Sequence, residues 1–286
     1  MLGSFILLSF VAFLLAMPVF GVSLTELIDF FNTGGLQQNL PMLKFFQTVQ
    51  SIGMFVIPPF LVAWLYSRKP AAYLKLDQTP QLLSFIYVIG IIFFSIPLIN
   101  YLSQLNQNIQ FSEHLQGVEG WLQDKEETAQ DLTTRFLKAE TLPVLIWNVV
   151  MVGVLPAVGE ELVFRGLVQR IFTRWTRNAH LGVFIAAFLF SAMHIQFYGL
   201  IPRFFLGVLF GYFLLWSGSI WLPILGHFIN NSSAVIYYYY MDKQEVVQSQ
   251  SYESMNLPVE SVFISAGLIF LLGFLIYLNE QKLRHH

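Results

Sequence analysis

Three short groups of polar residues stand in otherwise apolar stretches of this chain, and their types and spacing could do hydrolytic chemistry. The first reads Pro156-Ala-Val-Gly-Glu160-Glu161-Leu-Val-Phe-Arg165-Gly. Two neighbouring carboxylates in apolar sequence cannot both ionise cheaply, so at least one is held ready to take up or release a proton. Glu161 and Arg165 are four residues apart and share a helix face. Glu160 is turned about 100° off that face. The spacing predicts one acid held by arginine and the other left free. A structural ion pair is the alternative at this point.

The second group is Phe190-Ser-Ala-Met-His194 and the third is His227-Phe-Ile-Asn230-Asn231. His227 and Asn231 lie one helical turn apart, and an imidazole beside an amide can donate two hydrogen bonds to one oxygen. For His194 a packing role, and for His227 and Asn231 interhelical hydrogen bonding, remain the competing explanations. Ionisable groups inside a membrane helix cost roughly 2.5–3.5 kcal/mol each on insertion scales, which makes them functional candidates by default.

The elements that must position these groups are membrane helices. The chain has 286 residues, 56% hydrophobic and 16% aromatic, with 11% charged and a mean hydropathy of +0.61. Soluble domains carry about 25% charged residues. The expected fold is all-α, a polytopic transmembrane helix bundle of about eight helices. The apolar runs fall at 2–22, 49–66, 82–102, 142–163, 179–197, 201–216, 220–240 and 261–279. A net charge of −2 gives no basic footprint for nucleic acid. The absence of Cys removes disulfides, thiolate metal sites and cysteine nucleophiles. Residues 1–21 lack a basic n-region and a small-residue cleavage site, so they are expected to be a retained first helix.

Lys and Arg favour cytoplasmic loops. Arg68, Lys69, Lys75, Arg165, Arg170, Arg174, Arg177, Lys282 and Arg284 fall on one side if both termini are cytoplasmic, nine of the 15 basic residues. Residues 103–141 are the longest extramembrane segment, with Trp121, Leu122, Ala129, Leu132 and Phe136 at helical spacing beside acids. They are expected to form an amphipathic helix capping the bundle. The chain thus divides into 1–141, with three spans and this segment; 142–240, with the polar groups; and 241–286, with a loop, a last span and a tail.

Depth can be read from distance to a turn. Glu161 lies 17 residues before Asn178 and His194 lies 16 after it, so at about 1.5 Å per residue they reach equal depth in an antiparallel hairpin. His227 is about 8 residues from the preceding turn, roughly 12 Å deep and about 10 Å short of the others. Bringing it level requires a recessed turn or a tilted, short helix.

In this order the three groups resemble the CPBP family of intramembrane proteases (CAAX protease and bacteriocin-processing, or Abi), whose pattern is EExxxR, then FxxxH, then HxxxN. Glu160, Glu161 and Arg165, then Phe190 and His194, then His227 and Asn231 match it without departure, over 142–240. Eight helices are similar to the prenyl-protein endopeptidase branch. The resemblance implies cleavage of a peptide bond in a membrane protein or lipidated peptide within the bilayer. It implies that Glu160 and His194 hold and activate water, that His227 and Asn231 donate to the oxyanion, and that Glu161 and Arg165 support them; spacing alone could exchange the two glutamates. No cofactor is expected. Zinc on Glu160, Glu161, His194 and His227 is the alternative, opposed by Arg165 and by the lack of a ligand pair on one helix. A non-enzymatic binding, immunity or transport protein is the other class, and function without the carboxylates would mark it.

Overall fold

The structure is a computed structural model that describes residues 2–32, 39–109, 111–242 and 258–284. Among the described residues all regular structure is helical. In chain order the elements are α1 (Leu2–Phe20), α2 (Leu24–Asn32), α3 (Leu40–Tyr66), α4 (Leu82–Phe94), α5 (Ile96–Gln107) and α6 (Gln116–Leu137). They continue as α7 (Leu142–Thr176), α8 (Ala179–Ala192), α9 (Leu200–Ser217), α10 (Trp221–Asp242) and α11 (Val259–Arg284).

All eight apolar runs are helical over most of their length. Among the described residues, α1, α3, α7, α9 and α11 are long and apolar enough to cross a bilayer, and the pair α4–α5 makes six if its 44° bend is one broken span. The remaining two are α8, which is short, and α10, which carries His227, Asn230, Asn231 and Ser232. Both are helices of the polar groups. The chain is a multi-pass membrane protein built as an all-α bundle.

Several boundaries differ from the sequence expectation. The run 82–102 bends at Ser95, because Pro97 cannot donate to the preceding turn; Ser265 of α11 donates to the nearby Phe94 carbonyl at 2.5 Å. The run 142–163 continues to Thr176, so most of the expected loop 164–178 is helix. Arg165 is accordingly buried, 1% exposed, and is not a loop charge. Helix α8 stops at Ala192, before His194. The loop 241–260 lies mostly outside the described residues, and so does the end of the tail.

The α7–α8 turn is where spacing placed it. Arg177 adopts a left-handed conformation, φ +54°, and the Asn178 side chain caps α8 by accepting from the His180 and Leu181 amides at 2.9 and 3.2 Å. The α9–α10 turn ends α9 on Gly218 at φ +70°, a backbone that glycine enters without steric cost. That turn is recessed. Ile220 N donates to Lys75 O, Ser219 Oγ to Gln78 O and Trp221 Nε1 to Leu76 O, so the segment 67–81 covers it. Ile220 is fully buried against Leu74 and Leu162 and lies beside Gly166 of α7. The turn therefore sits at the level of the residue after Arg165, which lifts His227 to the carboxylates and resolves the mismatch of depth.

Two further contacts hold the frame. Glu280 of α11, 2% exposed, accepts from Gln81 N at 3.0 Å and Ser84 Oγ at 2.5 Å, tying α11 to the N-terminus of α4 where a carboxylate is favoured. Lys44 of α3, 4% exposed, donates to Asn148 Oδ1 at 2.7 Å and to Lys138 O at 3.4 Å, next to the C-terminus of α6.

Candidate active site

The site is built where α7, α8, α9 and α10 meet. Glycines allow the approach: a Cβ on Gly207 of α9 would stand 3.0 Å from Ala187 Cβ of α8, and one on Gly211 2.7 Å from Val183 Cγ1. Two side chains of α7, one turn apart, then reach the exposed carbonyls of those glycines. Arg165 Nη2 donates to Gly207 O at 2.8 Å and Gln169 Nε2 to Gly211 O at 3.1 Å.

Glu161 is fully buried. Its Oε1 accepts from Arg165 Nη1 at 3.0 Å and from His227 Nδ1 at 2.9 Å. A carboxylate paired with a guanidinium only accepts, so Nδ1 of His227 carries the hydrogen. The opposite ring nitrogen, Nε2, lies 3.9 Å from Glu160 Oε2. That separation is too long for a direct hydrogen bond. A water about 2.8 Å from each atom would sit to one side of the line joining them. Glu160 keeps 13% of its side chain exposed, and its Oε2 has no hydrogen-bond partner. One imidazole therefore stands between Glu161, whose Oε1 is bonded twice while its Oε2 has no partner, and Glu160, which has no ion pair with the guanidinium.

The His227 ring is fixed by aromatic faces. Phe210 stacks on it at 5.4 Å with an interplanar angle of 17°, and Phe190 meets it edge-on at 5.8 Å. Phe190 also packs edge-on to His194 at 5.3 Å, so the two histidines flank one ring. The Arg165 guanidinium lies over Phe190 at 4.8 Å and over Phe210 at 5.5 Å, an attraction that adds to its ion pair. Phe190 itself is 3% exposed among Val163 and Phe164.

His194 stands in the turn after α8. Its Nδ1 donates to Phe190 O at 2.9 Å, so the neutral ring presents Nε2 as an acceptor. The next residue, Ile195, has φ +52°. A β-branched residue in that region is strained, and such strain concentrates at functional turns. Asn231 donates to Val152 O at 3.1 Å and accepts from Asn230 Nδ2 at 3.1 Å, which leaves its second N–H to serve elsewhere.

Around the carboxylates, α7 is not a regular α-helix. Val149–Val154 and Leu162–Val168 are π-helical, and so is Ile52–Val56 of α3, where Phe55 packs against Gly159. Glu160 and Glu161 occupy the α-turn between two widened segments, a distortion frequent at functional sites.

Residues 142–233 match the model of the Rce1-like family, described as type II CAAX prenyl endopeptidase. The match covers the three polar groups. A second similarity, 28% identity over 103 residues, is to an uncharacterized 24.3 kDa protein of Escherichia coli, over 35% of this chain and 48% of that protein. The chain thus spans about half the length of the curated relative it matches. No solved structure gives a significant match. The matched family is one of CAAX-type endopeptidases, and that similarity is confined to residues 142–233.

The geometry brings Glu160, Glu161, Arg165, Phe190 and His227 together, with His194 against the Phe190 ring and Asn231 one turn along α10 from His227. Among the described residues no three His, Asp or Glu side chains are grouped so as to hold a metal ion. Glu161, the best-placed carboxylate, already serves a guanidinium. Sequence reasoning missed Gln169 and Gly207, at the Arg165 end of the site, and Arg203. A lone arginine at the head of an apolar helix was the available signal for the last.

Proposed function

We propose that the chain is an intramembrane endopeptidase that hydrolyses a peptide bond of a membrane-associated, lipidated or CAAX-like protein with water activated by Glu160. The observation that carries the reading is His227 placed between Glu161 at 2.9 Å and Glu160 at 3.9 Å. Glu160 Oε2 takes the proton of the attacking water and passes it to the leaving amine, the double duty of a general base and acid. His194 Nε2 accepts the second hydrogen of that water and orients it. His227 Nε2–H and the free N–H of Asn231 donate to the oxyanion, each donor of this kind being worth about 2.7–4 kcal/mol.

Donation from His227 Nε2 requires the imidazolium, because Nδ1 keeps its own hydrogen on Glu161. Two carboxylates facing one imidazolium and one guanidinium make a cluster of zero net charge. That balance suits a buried site, where unpaired charge is costly. With Arg165 and His227 already on Glu161 Oε1, a further cation there is disfavoured, and the proposed hydrolysis uses no metal. The basic residues favour an orientation with both termini in the cytoplasm.

The test is turnover of a prenylated CAAX-type peptide by the full chain in nanodiscs. Wild type should release the C-terminal fragment, and Glu160→Gln should not. Equal turnover by both would remove Glu160 as the base.

A further inference from the structure

Arg203 lies in the first turn of α9, and the chain on either side of it is pinned. Asn106, fully buried, donates to Phe197 O at 2.9 Å and accepts from Ile201 N at 2.7 Å. Ser191 Oγ donates to Leu200 O at 2.6 Å. The guanidinium folds over Gly199, where a Cβ would come within 2.8 Å of Nη2. Nη2 donates to Gln196 Oε1 at 3.0 Å. The Gln196 amide is turned that way because its Nε2 donates to Glu126 Oε1 of α6 at 3.3 Å. The other oxygen of Glu126 accepts from Tyr198 N at 3.3 Å, so Glu126 is engaged at both ends.

Nη1 is different. It is buried and has no hydrogen-bond partner, and among the described residues no carboxylate lies within 4.0 Å of the guanidinium. A guanidinium keeps its charge under ordinary conditions, and a buried charged donor without an acceptor is more costly than a neutral one. The side chain is nevertheless close enough to both Glu160 and His194 to act on them electrostatically. A preset, oriented cation with one open buried nitrogen, within electrostatic reach of the catalytic carboxylate, is built to receive an anion. The anion a peptide brings is a carboxylate, from its C-terminus or from an Asp or Glu side chain, and the guanidinium fork matches that group.

We propose that Arg203 binds a carboxylate of the peptide substrate close to the scissile bond and so sets where the chain is cut; the inference rests on the peptidase reading above. Gln196 is its positioning residue, held by Glu126. This gives α6 a part in specificity, since the amphipathic helix fixes the orientation of the arginine through Gln196.

The experiment uses three prenylated peptides of one sequence: a free C-terminal acid without acidic residues, its C-terminal amide, and the amide with a Glu near the C-terminus. Binding by fluorescence anisotropy is measured on full-chain Glu160→Gln in nanodiscs, with Arg203 intact or replaced by Gln. At least a ten-fold preference for a carboxylate-bearing peptide over the plain amide is expected, and its loss in Arg203→Gln. Tight binding of the acid assigns the C-terminus, and tight binding of the Glu-containing amide assigns a side chain. Equal binding of all three peptides, or a preference that survives Arg203→Gln, overturns the proposal. Should Arg203→Gln not fold, Arg203→Lys keeps the charge without the fork and Gln196→Met removes its orienting bond; an undiminished preference in both would equally overturn it. Turnover with Glu160 intact is read separately, so failure of the peptidase reading is not mistaken for failure of the subsite.

Discussion

His227 Nδ1 lies 2.9 Å from Glu161 Oε1, and the same oxygen accepts from Arg165 Nη1 at 3.0 Å. Glu161 is therefore committed twice, to the guanidinium on its own helix and to the imidazole on another. Such a carboxylate fixes the hydrogen on a histidine and the plane of its ring, as outer partners do for ligating and catalytic imidazoles. The Oε2 atoms of both acids lack partners, but Glu160 is the partly exposed one and carries no guanidinium, which leaves it for proton transfer.

This division of labour predicts opposite phenotypes for two similar substitutions. Glu160→Gln should abolish turnover with a folded yield and melting temperature close to wild type. Glu161→Gln should lower the folded yield, because Arg165 loses its counter-ion, and breaking a buried pair costs about 3–5 kcal/mol. Turnover and thermal unfolding of both variants in one detergent decide it. Wild-type turnover in Glu160→Gln with a stable but inactive Glu161→Gln would show that the roles are exchanged.

Asn231→Ala should keep partial activity. Losing one oxyanion donor costs about 10²–10³ in rate, and the His227 donor remains. The structural bonds lost are two, to Val152 O and from Asn230 Nδ2, each worth about 1 kcal/mol. A fall in kcat with a modest fall in melting temperature is the expected result. Full activity would place Asn231 among packing residues.

The i, i+4 pair of Glu161 and Arg165, the α7–α8 turn and the α-helical runs follow from local rules and were legible in the sequence. The level of His227 was not. It depends on the segment 67–81 folding over Ser219 and Ile220, a contact between residues some 140 positions apart, and no local pattern encodes such a contact. The π-helical turns beside Glu160 were hidden as well, because residue spacing there still reads as α. The extent of α7 was misjudged because Arg165, Arg170 and Arg174 look like a loop. Arg165 is instead buried on the site, and Arg170 donates to Tyr73 O at 2.6 Å and stacks on that ring at 3.8 Å.

Gly207→Ala tests how the Arg165 end of the site is held. The added Cβ would stand 3.0 Å from Ala187 Cβ and 3.1 Å from its Cα, so α8 and α9 must part or shift. Overpacking of this kind costs about 1–3 kcal/mol. The shift also moves Gly207 O away from Arg165 Nη2. Lower thermal stability together with lower turnover is expected, and an unchanged melting temperature would mean that the helices have room.

Orientation is tested by reporter fusions. With Arg165 inside the bundle, eight basic residues rather than nine remain on the side assigned to the cytoplasm, against six on the other. The bias is smaller and keeps its sign. A reporter within residues 67–81 should give a cytoplasmic signal and one at residue 110 the opposite. Reversed signals would invert the bundle.

Metal dependence is the prediction that bears most directly on the chemistry. A zinc mechanism needs three protein ligands with a water in the fourth position. Of the carboxylates and imidazoles here, Glu161 Oε1 is already taken by Arg165 and His227, while the Nδ1 bonds of His227 to Glu161 and of His194 to Phe190 O leave both Nε2 atoms open. The atoms that remain, those of the Glu160 carboxylate, Glu161 Oε2 and the two Nε2 atoms, are not grouped as a metal site among the described residues, and the Arg165 charge lies 3.0 Å from Glu161 Oε1. Purified protein dialysed against a chelator should therefore keep its turnover and contain far less than one zinc per chain by elemental analysis. Added zinc should leave the rate unchanged or lower it by occupying the free nitrogens. If the chelated protein is inactive and one equivalent of zinc restores it, the water is activated by metal, and Glu160 becomes a ligand or its partner rather than the unaided base.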